Sequence, residues 1–133
     1  MPKIALLLTL LLTLSAHALN VSVDDGFQQQ QLAAGLKYWL TDDHEAKPPS
    51  IEASEWQTSP DTLTFGFDKR VLWTHFTLSN SSSKDQALLL EIEYPLLDVI
   101  DITITNEMSA PILYELGDTR PLMQSSIQHP HIL

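Results

Sequence analysis

The chain has no cysteine, four glycines, and only seven lysines and arginines among 133 residues. Without cysteine no disulfide forms, and thiolate catalysis and Cys-based zinc sites are excluded. A domain of this kind must rely on its core and not on cross-links, unlike disulfide-dense animal secretions. Seven cations against seventeen carboxylates give a formal net charge of −10. Nucleic acid is thereby disfavoured, since neutralising phosphates needs clustered Lys and Arg. Anionic membrane surfaces are disfavoured too, whereas cationic or neutral ligands and divalent metals stay open. Catalytic signatures are also missing: there is no Gly-x-Ser-x-Gly elbow and no Walker loop.

The one long apolar run opens the chain. Met1-Pro2-Lys3 is a short basic start, and Ile4 to Leu14 is interrupted only by Thr9 and Thr13. Ser15-Ala16-His17-Ala18 supplies the small-x-small pattern that a signal peptidase accepts. Eleven helical residues reach roughly 16 Å, short of a bilayer core of about 30 Å. Residues 1–18 are therefore expected to be a cleaved signal peptide, with cleavage after Ala18 and a periplasmic product. Without Lys3 the formal charge of −10 becomes −11. The remaining length suits one domain.

Leu19 to Gln31, with its four-Gln run, reads as an exposed lead-in, and residues 32–133 read as the domain proper. Lys37 to Leu40 suggests a short strand ended by Thr41-Asp42-Asp43. Ser50 after Pro48-Pro49 resembles a helix N-cap, with Glu52 in the first turn, so Ile51 to Trp56 is expected to be a short helix. Leu63, Phe65 and Phe67 alternate with polar or small residues, as in an extended segment. Val71 to Ser79 places Leu72, Thr74, Phe76 and Leu78 on one face and Val71, Trp73, His75 and Thr77 on the other. Asn80 to Lys84 is a polar turn. Ala87 to Tyr94 and Ile100 to Thr105 alternate again, and weaker runs follow at Ile112 to Leu116 and Ile127 to Leu133. Such period-two runs with regular turn signals predict an all-β, antiparallel, jelly-roll-like (galactose-binding-like) β-sandwich with one short helix. The final run stops in mid-strand, so the domain is expected to be incomplete at its C-terminal end.

Particular segments resemble a known bacterial sensor family. Val71-Leu72-Trp73-Thr74-His75-Phe76-Thr77-Leu78-Ser79-Asn80 is similar to its "vWlrftl.N" strand, with His75 where Arg or another long polar residue is usual. Leu88 to Asp101 reads like its "l.le..yplLD.vdly" signature, with Tyr94, Pro95, Leu96, Leu97, Asp98 and Asp101 in place. Gly117-Asp118, Pro121 and Ile127-Gln128-His129 resemble "Gd..p...r.i.h", with Pro130 near a usual Arg-Asn pair. Tyr38-Trp39-Leu40-Thr41-Asp42 looks like the opening strand, and Phe65-Gly66-Phe67 sits at an expected "nlG" turn. The family is the 7TMR-DISM extracellular domain of the second type. The resemblance implies a periplasmic ligand-sensing domain of a seven-helix receptor whose outputs are diguanylate cyclases or histidine kinases. Membrane contact would come only through receptor parts absent from this chain. The alternatives are a stand-alone soluble carbohydrate- or small-molecule-binding module, or a non-functional receptor fragment.

Candidate chemistry is sparse. Trp73 and His75 share what reads as the outward face of their strand, where aromatics stack on sugar rings or small molecules; they are the candidate ligand-binding residues. The competing reading has Trp73 filling a core against Tyr94 or Trp39. His129 and His131 have a zinc-like i, i+2 spacing, but need a third ligand from His44 or His75. They read instead as a half-exposed strand. Asp98 and Asp101 could face calcium, yet a turn-capping role suits Asp98 better. Glu91 and Glu93 lie on one strand face, whereas glycosidase carboxylates flank a bond from separate elements. The expectation is a non-enzyme with no metal, no cofactor and no nucleic-acid partner, binding an unidentified small molecule or carbohydrate.

Overall fold

The computed structural model describes residues 18–94 and 96–120. Nearly all of the expected signal peptide lies outside these residues, as do Pro95, Pro121 and the expected strand from Ile127 to Leu133 with His129 and His131. The described residues form seven strands and no helix: β1 (Asn20–Val23), β2 (Lys37–Thr41), β3 (Gln57–Thr58), β4 (Val71–His75), β5 (Thr77–Asn80), β6 (Ile100–Asn106) and β7 (Ser109–Leu116). The all-β class is as expected. Two compact units divide between Gln86 and Ala87.

The first unit holds a three-stranded antiparallel sheet ordered β3-β2-β4 and a parallel pair β1-β5. Aromatic and β-branched residues suit β2 and β4 to the pleat. On β4 the alternation leaves Val71, Trp73 and His75 sheltered and Leu72 and Thr74 exposed. β1 pairs β5 in parallel, which the intervening chain from Asp24 to Phe76 is long enough to allow. The pair extends at both ends, with Thr77 N donating to Leu19 O and Ser81 N to Val23 O, each at 2.8 Å. Val21 and Val23 are each 2 % exposed. Burying a valine stabilises by roughly 1.5–3 kcal/mol.

Four expectations are corrected here. Residues 20–23 of the supposed exposed lead-in form β1, because Asn20-Val21-Ser22-Val23 alternates and its valines find a core. Ile51 to Trp56 is a pair of turns, not a helix. The Ser50 carbonyl accepts from Ala53 N and from Trp56 Nε1, both at 2.9 Å, which closes a turn instead of opening a helical ladder. The single strand expected over Val71 to Ser79 breaks at Phe76, because β4 pairs with β2 and β5 with β1. Leu63 to Phe67 forms no ladder; Phe65 packs on Tyr38 with ring centroids 5.3 Å apart, while Phe67 is fully exposed. The expected Asn80–Lys84 turn is present, with Asn80 Oδ1 accepting from Ser82 N at 2.9 Å.

The second unit contains the β6-β7 antiparallel hairpin. Asn106 Oδ1 caps its turn, accepting from Met108 N at 2.9 Å and Ser109 N at 2.7 Å. The ladder slips between Ile104 and Asn106, beside Pro111, which has no N–H to donate. Ile100 and Leu116 are buried at the far end. Ala87 to Tyr94, expected as a strand, pairs with no strand among the described residues.

Segments of the resemblance meet in this unit. Asp118 N donates to Leu97 O at 3.0 Å, and Asp98 O accepts from Thr119 N at 3.2 Å and Thr119 Oγ1 at 2.6 Å. Gly117, at φ 122°, lies so close to the Asp98 backbone that a Cβ there would stand 2.7 Å from the Asp98 carbonyl carbon. The Leu-Leu-Asp and Gly-Asp motifs are thus the two jaws of one backbone clasp. Asp101 adds an ion pair to Arg120.

Candidate functional site

Lys37 stands opposite Thr58 on one side and His75 on the other, so the three form a row across β3, β2 and β4. Directly opposed residues have Cβ atoms about 4.5–5.5 Å apart on one face of a sheet. Trp39 and Trp73 oppose each other two positions along, on the same face. Trp56 meets the His75 ring edge-on, with centroids 4.4 Å apart and planes at 70°. Its indole N–H is fixed by the Ser50 carbonyl, so the turn that replaces the expected helix delivers Trp56 to His75.

The electrostatics of the row are uneven. Lys37 is only 5 % exposed, and its Nζ donates to Thr58 Oγ1 at 2.6 Å. No carboxylate pairs with it among the described residues. Residues 1–17 and 121–133 contain no Asp or Glu that could. Ammonium has three donor hydrogens, so one hydroxyl satisfies it only in part. Burial holds His75 below the usual imidazole range, and the charge of Lys37 pushes the same way. His75 is therefore neutral at neutral pH, with one ring nitrogen a donor and the other an acceptor.

Trp73 Nε1 and His75 Nε2 are both buried without a hydrogen-bond partner among the described residues. A buried polar atom left unsatisfied costs about 1–3 kcal/mol. Two such atoms at alternate positions of one strand, beside a buried ammonium, are costly as mere packing. The row can donate hydrogen bonds and present one positive charge. Among its residues there is neither a carboxylate base nor a serine or cysteine nucleophile.

The structure brings the sequence candidates Trp73 and His75 to the same face, but that face is the sheltered one, not the outward one. Trp39 is the cross-strand neighbour of Trp73, and Tyr94 is 51 % exposed. Asp98 holds its turn through its main-chain carbonyl, and Asp101 is taken by Arg120. No group of three metal-binding side chains occurs among the described residues. Lys37 and Trp56 were missed by sequence reasoning. The signal for Lys37 was its phase: Lys37, Trp39 and Thr41 alternate together, which places a lysine on the aromatic face.

Fold and site together define an all-β domain whose polar features serve hydrogen bonding. No helix among the described residues is long and apolar enough to cross a membrane. Residues 33–133 match the family model for 7TMR-DISM extracellular 2, and the chain belongs to that family. No curated protein and no solved structure matches the chain. The family is one of extracellular domains, which places the chain among exported proteins.

Proposed function

We propose that this chain is the periplasmic ligand-sensing domain of a transmembrane signalling receptor, exported by cleavage after Ala18. The observation that carries the reading is the family match over residues 33–133. The unpartnered nitrogens of Trp73 and His75 support a place for the ligand. In this reading the strands close into a jelly-roll-like sandwich, the domain catalyses nothing, and membrane contact and output belong to other parts of the receptor.

The mechanism follows from the unsatisfied groups. A ligand that accepts from Trp73 and bonds His75 removes a desolvation penalty that the free domain carries. It therefore binds the ordered β2-β4 sheet in preference to any loosened form, and that difference in affinity is what a sensor transmits. A ligand present at about 100 times its Kd would stabilise the fold by roughly 2.7 kcal/mol. The test is a thermal melt of the full chain against sugars, amino acids and small carboxylates. A compound that raises the midpoint of the parent chain, with the rise lost in Trp73→Phe, is the expected result. Failure of every compound, or a rise of equal size in the variant, overturns the assignment.

A further inference from the structure

We infer that the Lys37–His75 row with Trp73 is a seat for the carboxylate group of a small monoanionic ligand. This rests on the ligand-sensing reading and narrows its ligand class. Three observations carry it, each made among the described residues: a buried ammonium with no carboxylate partner, a buried indole N–H with no acceptor, and a buried imidazole nitrogen with no partner. All three belong to residues on one face of two neighbouring strands, with Lys37 directly opposite His75.

Charge decides between ligand classes. A neutral sugar would accept from the indole N–H but leave the ammonium buried and uncompensated. A cation would add repulsion to it. Phosphate carries up to two negative charges at neutral pH, whereas the row supplies one positive charge, because His75 is neutral. A carboxylate matches that charge, and its oxygens accept hydrogen bonds from an ammonium and from an indole N–H alike. The acidity of the whole chain does not forbid this, because exposed charges are screened over about 8 Å at physiological salt. The nearest fixed charge is the one that counts, and at this row it is positive.

Lys37 also discriminates a binding role from a structural one. A lysine retained for packing should be missed by the fold when it is removed. A buried ammonium held by one hydroxyl of the exposed Thr58, with no carboxylate beside it among the described residues, should not be missed. An apolar side chain of similar length fits the same space without the desolvation cost.

The experiment titrates the full chain with acetate, inorganic phosphate and galactose at millimolar concentrations, against sodium chloride at equal ionic strength. The Trp73 indole N–H resonance is followed by NMR. Acetate should move that resonance downfield, with affinity at least tenfold above galactose and phosphate. Lys37→Met should weaken acetate at least tenfold with no fall in melting temperature. A fall in melting temperature makes Lys37 structural and overturns the inference, as does tighter binding of galactose or phosphate. If acetate is silent while another compound still raises the parent melt through Trp73, the carboxylate assignment alone fails. If the whole melt panel is silent too, the ligand-sensing reading fails with it.

Discussion

Gly117→Ala tests the clasp that joins the two motif segments of the second unit. Gly117 has φ 122°, a region L side chains rarely adopt, so alanine there begins with about 1–3 kcal/mol of strain. The new methyl would also stand 2.7 Å from the Asp98 carbonyl carbon and 2.9 Å from Val99 Cα. Both are backbone atoms, so no rotamer change relieves the contact. The chain must separate, and the bonds from Asp118 N to Leu97 O and from Thr119 to Asp98 O go with it. Three hydrogen bonds at about 1 kcal/mol each, added to the strain, give a loss of roughly 4–6 kcal/mol. That is comparable with the whole stability of a marginal domain. Gly66→Ala is the control: its φ of 62° is also positive, but a Cβ there meets nothing within 4 Å. It should cost about 1 kcal/mol. Urea unfolding gives both values, and amide exchange at Asp118 and Thr119 localises the damage. Equal, small losses at both glycines would refute the close-contact argument.

Two further predictions follow from local chemistry. Because burial and Lys37 depress the His75 pKa, the unfolded chain binds protons that the folded His75 refuses. Stability should be full above about pH 6.5 and fall from there as pH drops toward the lowered folded value. The charged group facing His75 is Lys37 from β2, with Thr58 and Trp56 uncharged beside it; a melt series on His75→Gln should therefore be flatter between about pH 7 and 5. An unchanged slope would remove His75 as the source. Asn106→Ala deletes the acceptor for Met108 N, Ser109 N and Ser109 Oγ, and should destabilise the β6-β7 turn by about 1 kcal/mol. Amide exchange at Ser109 should quicken; unchanged protection would show that the turn holds by its backbone alone.

What could be read in the sequence was set by how local its cause is. β4 and β6 follow from alternation within each run, β2 and the second half of β7 from short apolar runs ended by turn residues, and the Asn80–Lys84 turn from side chains that bond their own backbone. The break at Phe76 could not be read, because it reflects a change of partner from β2 to β1, thirty or more residues upstream for either strand. Ser50 carried a helix-start signature, yet its carbonyl is claimed by the Trp56 indole six residues on. Ala87 to Tyr94 alternates as well as β6 does, but alternation specifies a face and not a partner. For the site, Trp73 and His75 were legible as paired positions on one strand. Which face they occupy was not, because Lys37 and Trp56 reach them from other elements.

The motif residues and the candidate ligand residues therefore answer different demands. The Leu-Leu-Asp and Gly-Asp segments are constrained by backbone geometry: a main-chain carbonyl takes two bonds, and a glycine fits where no Cβ can. Such constraints fix a sequence pattern while leaving ligand choice free. Lys37, Trp73 and His75 pack in the first unit, with Lys37 on Thr58 and His75 on Trp56, yet each carries polar capacity that the described residues do not use. His75 also stands where the resemblance implies Arg or another long polar residue. An arginine there would add a second buried cation beside Lys37, whereas a neutral imidazole leaves the row with a single charge. Replacing His75 by arginine should therefore shift the row's preference from a monoanion toward phosphate, which the same NMR titration reads directly. Unchanged preference would show that charge at this row does not select the ligand.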